Sequence, residues 1–225
     1  MINAPSLANC NVLELADNIK ELVEADVDFF HIDIMDGHYV PNLCFPVNYI
    51  RDIKKAYPQS TAEVHMMVDN IGDYIDRLAD AGADYVCFHC DSTNFVRRNL
   101  TQIRAHGMKA GVVINPSQRI DIIEPYIELL DYVILMTVEP GFAGQRFLPG
   151  GVERCAELSA IRKKHNADFL IEIDGGVDYE TAGPCLEAGA DILVTGIYVT
   201  FKQPDGIVSA CRRFKKYAEE VESKI

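Results

Sequence analysis

Ala81-Gly82-Ala83-Asp84 and Ala188-Gly189-Ala190-Asp191 carry the same four residue types in two distant parts of a 225-residue chain. Each copy follows a helix-like stretch and precedes a short apolar run. Glycine commonly ends a helix in the left-handed conformation, so each copy reads as a helix-to-strand joint. Outward from these joints, β-rich runs fall at roughly 2–6, 28–34, 62–67, 83–89, 108–114, 131–137, 169–174 and 191–195. Helical stretches lie between them and after the last, among them Val12–Ala25, Tyr74–Ala81 and Glu153–His165. The joints thus precede the fourth and eighth strands, four units apart, as in a barrel with related halves; the competing architecture is an open doubly wound sheet. The strands are continuous apolar runs, such as Ile192-Leu193-Val194, as expected of parallel strands covered by helices. In the first helical stretch Val12, Leu13, Leu15, Ala16, Ile19, Leu22 and Val23 fit one face. No Pro/Gly/Ser-rich linker divides the chain, so the expected fold is a single (β/α)8 barrel, an α/β TIM-barrel domain over residues 1–225. Arg212-Arg213-Phe214-Lys215-Lys216 reads as the solvated face of a last helix.

Composition narrows the function. With 48% hydrophobic and 24% charged residues the chain is neither disordered nor collagen-like, and it has no apolar run long enough to span a bilayer. A net charge of -13 repels a phosphate backbone, which argues against general nucleic-acid binding. It does not exclude one small phosphorylated ligand, which backbone N–H groups can hold locally. The opening Met1-Ile2-Asn3-Ala4-Pro5-Ser6 lacks the basic and apolar regions of a signal peptide, so a cytoplasmic setting is expected. The seven cysteines then read as free thiols in the reducing cytosol. The CxxC at Cys87-Phe88-His89-Cys90 ends a strand-like run, where odd spacing points the thiols to opposite faces, so it reads as two core residues.

In a parallel barrel the working residues sit at the C-terminal ends of strands and in the loops beyond. The second strand ends His31-Ile32-Asp33-Ile34-Met35-Asp36-Gly37. Residues two apart share a face, so Ile32 and Ile34 suit the helix layer while His31, Asp33 and Met35 point into the barrel mouth. The third strand ends Glu63-Val64-His65-Met66-Met67, with His65 and Met67 on one face. The seventh ends Ile171-Glu172-Ile173-Asp174-Gly175-Gly176. Taken singly, His31 and Asp33 are as well explained by a hydrogen-bonded pair. Together, His31, Asp33, His65 and Asp174 converge from three strands, a donor set suited to one Zn²⁺, Mn²⁺, Fe²⁺ or Co²⁺ per chain. Met35, Met67 and Met136 recur at one strand-end level, either as core filling or as a soft, dry ceiling over a reacting carbon. Glycine-rich loops follow the last three strands: Gly141-Phe142-Ala143-Gly144-Gln145 within the sixth, Gly175-Gly176 after the seventh, Gly196-Ile197 after the eighth. The loops after strands seven and eight are the usual phosphate site of this fold, and the sixth could act as a lid.

These segments resemble the ribulose-phosphate 3-epimerase family along nearly the whole chain. The resemblance rests on Ala4-Pro5-Ser6-Leu7, on His31 to Asn42, on Val64-His65-Met66-Met67-Val68, on Asn115-Pro116, on Met136 to Gln145, and on Ile173-Asp174-Gly175-Gly176-Val177. It implies a metal held by His31, Asp33, His65 and Asp174, with Asp33 and Asp174 as the acid/base pair. It implies Ser6 and His65 as substrate contacts, and the segment from Gly141 to Gly144 with Gly175, Gly176, Gly196 and Ile197 at the phosphate end. Two positions depart from the pattern: Ile197 stands where the family commonly has serine, and Ala143 where ribulose-phosphate enzymes usually have glycine. Ala143, with Met136-Thr137-Val138 and Asp36-Gly37-His38, is similar to the D-allulose-6-phosphate 3-epimerase branch. Asp174-Gly175-Gly176-Val177 is similar to the ribulose-phosphate branch.

The expected function is therefore inversion at C3 of a ketose phosphate, either D-ribulose 5-phosphate to D-xylulose 5-phosphate or D-allulose 6-phosphate to D-fructose 6-phosphate. Two carboxylates on opposite sides of C3 would exchange its proton, and a bound metal would stabilise the enediolate as a Lewis acid. Rivals are a metal-dependent hydrolase, a decarboxylase or aldolase of the phosphate-binding barrels, and a sugar-phosphate sensor that has lost catalysis. No lysine stands at a corresponding strand end, which argues against amine chemistry. A small phosphorylated sugar is the expected partner, with no nucleic acid and no membrane, and a homo-oligomer is expected.

Overall fold

A computed structural model describes residues 1–225. Eight parallel strands form one sheet: β1 (Ile2–Pro5), β2 (Phe29–Met35), β3 (Thr61–Met67), β4 (Tyr85–His89), β5 (Lys109–Ile114), β6 (Tyr132–Met136), β7 (Leu170–Asp174) and β8 (Ile192–Thr195). Their order is β1-β8-β7-β6-β5-β4-β3-β2, and a parallel bridge from Ser6 to His31 joins the two ends. The sheet is thus a closed (β/α)8 barrel, as the paired joints imply. In both joints the glycine is left-handed, Gly82 at φ 90° and Gly189 at φ 110°. The closing aspartate does the same work twice: Asp84 accepts from Ala62 N at the start of β3, and Asp191 from Ile171 N in β7.

Seven α-helices cover the barrel: α1 (Leu15–Glu24), α2 (Asn48–Ala56), α3 (Gly72–Ala81), α4 (Val96–Ala105), α5 (Gly151–Lys164), α6 (Tyr179–Ala188) and α7 (Gly206–Glu222). Alternation along the strands decides the layers. Ile32 and Ile34 join a 53-residue cluster between strands and helices, while Cys87, Tyr132, Ile134 and Met136 form a separate cluster inside the barrel. Cys90 belongs to the outer cluster, so the CxxC thiols do sit on opposite sides of the wall. Burial pushes the Cys90 thiol up to about 12. In α7 the four basic residues are exposed and Phe214 is buried. No helix is long and apolar enough to cross a membrane.

Two elements differ from the sequence reading. Val12 and Leu13 are 77% and 94% exposed rather than part of the buried face of the first helix. Asn11 accepts from Leu13 N and starts a separate 3-10 turn at Val12–Glu14, so the α-helical phase begins only at Leu15. Between β5 and β6 the return is a 3-10 segment, Ile120–Leu129, broken at Tyr126. Pro125 lies inside it and offers no N–H to an α-helical ladder.

Candidate metal and sugar-phosphate site

Strand parity brings His31 and Asp33 (β2), His65 (β3) and Asp174 (β7) to the C-terminal mouth of the barrel. Asp33 Oδ1 stands 3.4 Å from both His31 Nε2 and His65 Nδ1. Asp174 Oδ2 stands 3.7 Å from His31 Nε2 and 3.4 Å from His65 Nδ1. One ligand atom from each residue lies within 4.8 Å of the other three. The two imidazole nitrogens are buried and make no hydrogen bond. Buried polar atoms without partners are costly, and a cation bound by all four groups would satisfy them. The separations fit: ligand atoms about 2.1 Å from a tetrahedral ion lie about 3.4 Å apart.

The electrostatics agree. Burial opposes charge on His31, but the carboxylates of Glu63 and Asp33 overcome it and hold its pKa well above the usual value. His65 is pushed up to about 9 against its burial by Asp174 and Asp33. Burial also works against the charge on Asp33, yet His31 keeps its carboxyl well below the usual range. The four groups therefore draw positive charge to their centre.

A second buried layer lies beneath. His31 Nδ1 donates to Glu172 Oε1 at 3.3 Å and lies 2.5 Å from Glu63 Oε2, a close contact poorly aligned for hydrogen bonding. Tyr132 Oη donates to Glu63 Oε1 at 3.1 Å. Burial and the neighbouring Glu63 charge push Glu172 up to about 8, which favours its protonated form at neutral pH. The sequence reading did not single out Glu63 and Glu172. They share strand parity with His65 and Asp174, so the same alternation pointed to them one layer deeper. Asn115 belongs to the family resemblance and His89 to the CxxC, but the sequence reading gave neither a place in the site; His89 Nε2 lies 2.8 Å from His65 Nε2.

Above the four groups is a cleft lined by Ser6, Asp33, His65, Asp174, the three methionines, the segment from Gly141 to Gln145, and Gly175, Gly176, Gly196 and Ile197. Every cleft residue expected from the sequence is there, and His31 sits fully buried below. Ser6 Oγ donates to Asp33 Oδ2 at 2.8 Å and fixes that carboxylate. Met35 and Met67 pack together with Val40, and Met136 belongs to the inner barrel cluster, so the methionines are both cleft wall and core. No lysine lines the cleft.

The far end of the cleft is made of backbone. The N–H groups of Gly175, Gly176, Gly196 and Ile197 donate to no backbone acceptor. Gly176 has φ 67°, and a Cβ there would fall on the backbone nitrogen of Phe147 and 2.8 Å from the carbonyl carbon of Arg146. Only glycine lets the sixth and seventh loops meet so closely. The sixth loop is tied at both sides: Asn42 Nδ2 donates to Gly141 O at 2.8 Å, and Tyr198 Oη to Gly144 O at 2.7 Å. The Ile197 side chain reaches toward Gly144, where a Cβ would lie 3.4 Å from its Cδ1.

Comparison with known proteins matches residues 2–200 to the model of the ribulose-phosphate 3-epimerase family. The ribulose-phosphate 3-epimerase of Bacillus subtilis is 38% identical over 194 residues, 86% of this chain and 89% of that protein. The enzyme of that name from Methanocaldococcus jannaschii is 34% identical over 219 residues, 97% of this chain and 92% of that protein. Among solved structures, 3-hexulose-6-phosphate synthase from Salmonella typhimurium superposes with a TM-score of 0.70 at 18% identity, covering 98% of this chain and 100% of that one. KGPDC from Streptococcus mutans in complex with D-R5P also gives 0.70, at 13% identity, with 98% and 97% covered. These two share the fold.

Proposed function

The chain belongs to the ribulose-phosphate 3-epimerase family, and from that membership we propose that it inverts C3 of D-ribulose 5-phosphate to give D-xylulose 5-phosphate. It is an isomerase, an epimerase acting on carbohydrates, and the barrel serves as its single catalytic domain. The observation that carries the chemistry is the convergence of two carboxylates, Asp33 and Asp174, on two unpaired imidazole nitrogens under a cleft with free backbone donors at its far end.

Asp33 and Asp174 come from β2 and β7, three strands apart around the closed ring. A sugar carbon between them presents one face to each. One carboxylate takes the C3 proton; the other, protonated, returns one to the opposite face, and the two states exchange with each turnover. Ser6 holds Asp33 by its second oxygen, so the base has a fixed direction. The unpaired N–H groups of Gly175, Gly176, Gly196 and Ile197 take the phosphate and so set which carbon lies between the acids. Met35, Met67 and Met136 keep water from the reacting carbon. His31, Asp33, His65 and Asp174 would hold one divalent ion, Zn²⁺, Mn²⁺, Fe²⁺ or Co²⁺. When bound, it supplies Lewis-acid charge beside the oxygens where negative charge grows as the proton leaves.

A second substrate, D-allulose 6-phosphate, is favoured by Ala143 together with Met136-Thr137-Val138 and Asp36-Gly37-His38. Comparing kcat/KM of the purified protein on both sugar phosphates tests the assignment. D-Ribulose 5-phosphate should have the larger value, and a larger value for the six-carbon sugar would reassign the substrate.

A further inference from the structure

His65 offers Nδ1 to the proposed metal position and His31 offers Nε2. For His31, the buried carboxylates below take the other nitrogen. For His65 the other nitrogen enters a chain of polar groups that leads out of the barrel: His65, His89, Asn115, Tyr39, Asp91. The inference rests on the reading of His65 as a metal ligand. We propose that this chain has one fixed hydrogen-bond direction, set at its surface end by Asp91, and that Asp91, Tyr39, Asn115 and His89 are positioning residues that keep His65 protonated on Nε2 and bare on Nδ1.

The direction follows link by link from the outside. An exposed carboxylate accepts hydrogen bonds and does not donate them. Tyr39 Oη therefore donates to Asp91 Oδ1 at 2.7 Å, and Asn115 Nδ2 to Asp91 Oδ2 at 3.0 Å. With its hydrogen directed at Asp91, the Tyr39 oxygen is free to accept from Asn115 Nδ2, at 2.7 Å. The Asn115 amide is thereby oriented, and its Oδ1 is buried and makes no hydrogen bond. His89 Nδ1 is likewise buried and makes no hydrogen bond; His89 pairs in register with Val113, so Asn115 is the next inward residue beside it, and a hydrogen bond between these two unpaired atoms would satisfy both. Oδ1 can only accept, so His89 Nδ1 carries the hydrogen. A neutral imidazole then has a bare Nε2, and His65 Nε2 must donate across the 2.8 Å separation. In the neutral form that a metal ligand requires, this leaves the His65 lone pair on Nδ1, the atom 3.4 Å from both Asp33 and Asp174. The Tyr39 ring lies against His89 at a centroid distance of 4.6 Å and limits its rotation.

The test uses the whole 225-residue chain with zinc as probe. Nitrogen-15 imidazole spectra of the zinc-loaded protein should show His65 protonated at Nε2, and His89 protonated at Nδ1 with a bare Nε2. Chelator competition should show Asp91→Asn binding zinc about tenfold more weakly than wild type, the low end of the effect of outer partners on metal affinity. Asp91→Glu, which restores an acceptor-only end, should recover most of the loss. Asp91 is exposed, so the variants test the chain rather than the core. Protonation of His89 at Nε2, or wild-type zinc affinity in Asp91→Asn, would overturn the inference. Wild-type protein that binds no zinc in the same titration would instead overturn the metal reading. The His89 tautomer, read without zinc, still decides the direction of the chain on its own.

Discussion

At the scale of single residues the account turns on Asp33 and Asp174. Replacing either by asparagine removes one proton carrier, and each variant should lose about 100- to 10,000-fold in kcat, the usual contribution of a positioned acid or base. Both residues also face the metal position, so bound metal must be measured with the rate. Variants that keep metal and lose turnover support the proton role, and a variant that keeps both metal and turnover excludes it. Ile197 gives a second prediction. Its side chain lines the cleft and also packs against the outer core cluster. Ile197→Ser should add a phosphate contact of about 0.5–1.5 kcal/mol and lower KM several-fold at nearly constant kcat. An unchanged KM with a lower melting temperature would show that the side chain serves packing alone. The four mouth residues were legible because strand alternation is a strict period of two, so one inward residue fixes its neighbours. The His65 to Asp91 chain was not, since it joins the ends or following loops of four different strands, and nothing local in the sequence announces it.

At the scale of elements, strands were read to within one or two residues because a covered parallel strand is a continuous apolar run. Helix starts were less clear. Val12 and Leu13 fit the periodicity but lie in a 3-10 turn capped by Asn11, and capping competes with periodicity where both signals overlap. The 3-10 return at Ile120–Leu129 was signalled only by Pro125. Packing between neighbouring strands gives a sharper test. Gly111 in β5 faces Tyr132 in β6, and a Cβ there would lie 2.6 Å from Tyr132 Cδ1. Gly111→Ala should push Tyr132 away from Glu63 and destabilise the fold by about 1–3 kcal/mol, the cost of overpacking. Denaturant midpoints check this, and wild-type stability in the variant would mean that the inner layer yields at no cost.

At the scale of the molecule, the barrel closes where it works: the Ser6–His31 bridge that joins β1 to β2 lies beside the hydrogen bond from Ser6 to Asp33. Closure and site are therefore coupled, and a bound ion should stabilise the whole fold. At an ion concentration of about 100 times Kd the gain is about 2.7 kcal/mol, or roughly 5–10 °C in melting temperature for a chain of this size. Stripping metal with a chelator should lower the melting temperature by that amount, and readdition should restore it. The most direct test of the central claim is turnover in D₂O followed by proton NMR. D-Ribulose 5-phosphate should be converted to D-xylulose 5-phosphate with solvent deuterium at C3, because a proton removed by one carboxylate is replaced by one from the other. Product that retains its original hydrogen at C3 would contradict the two-carboxylate mechanism.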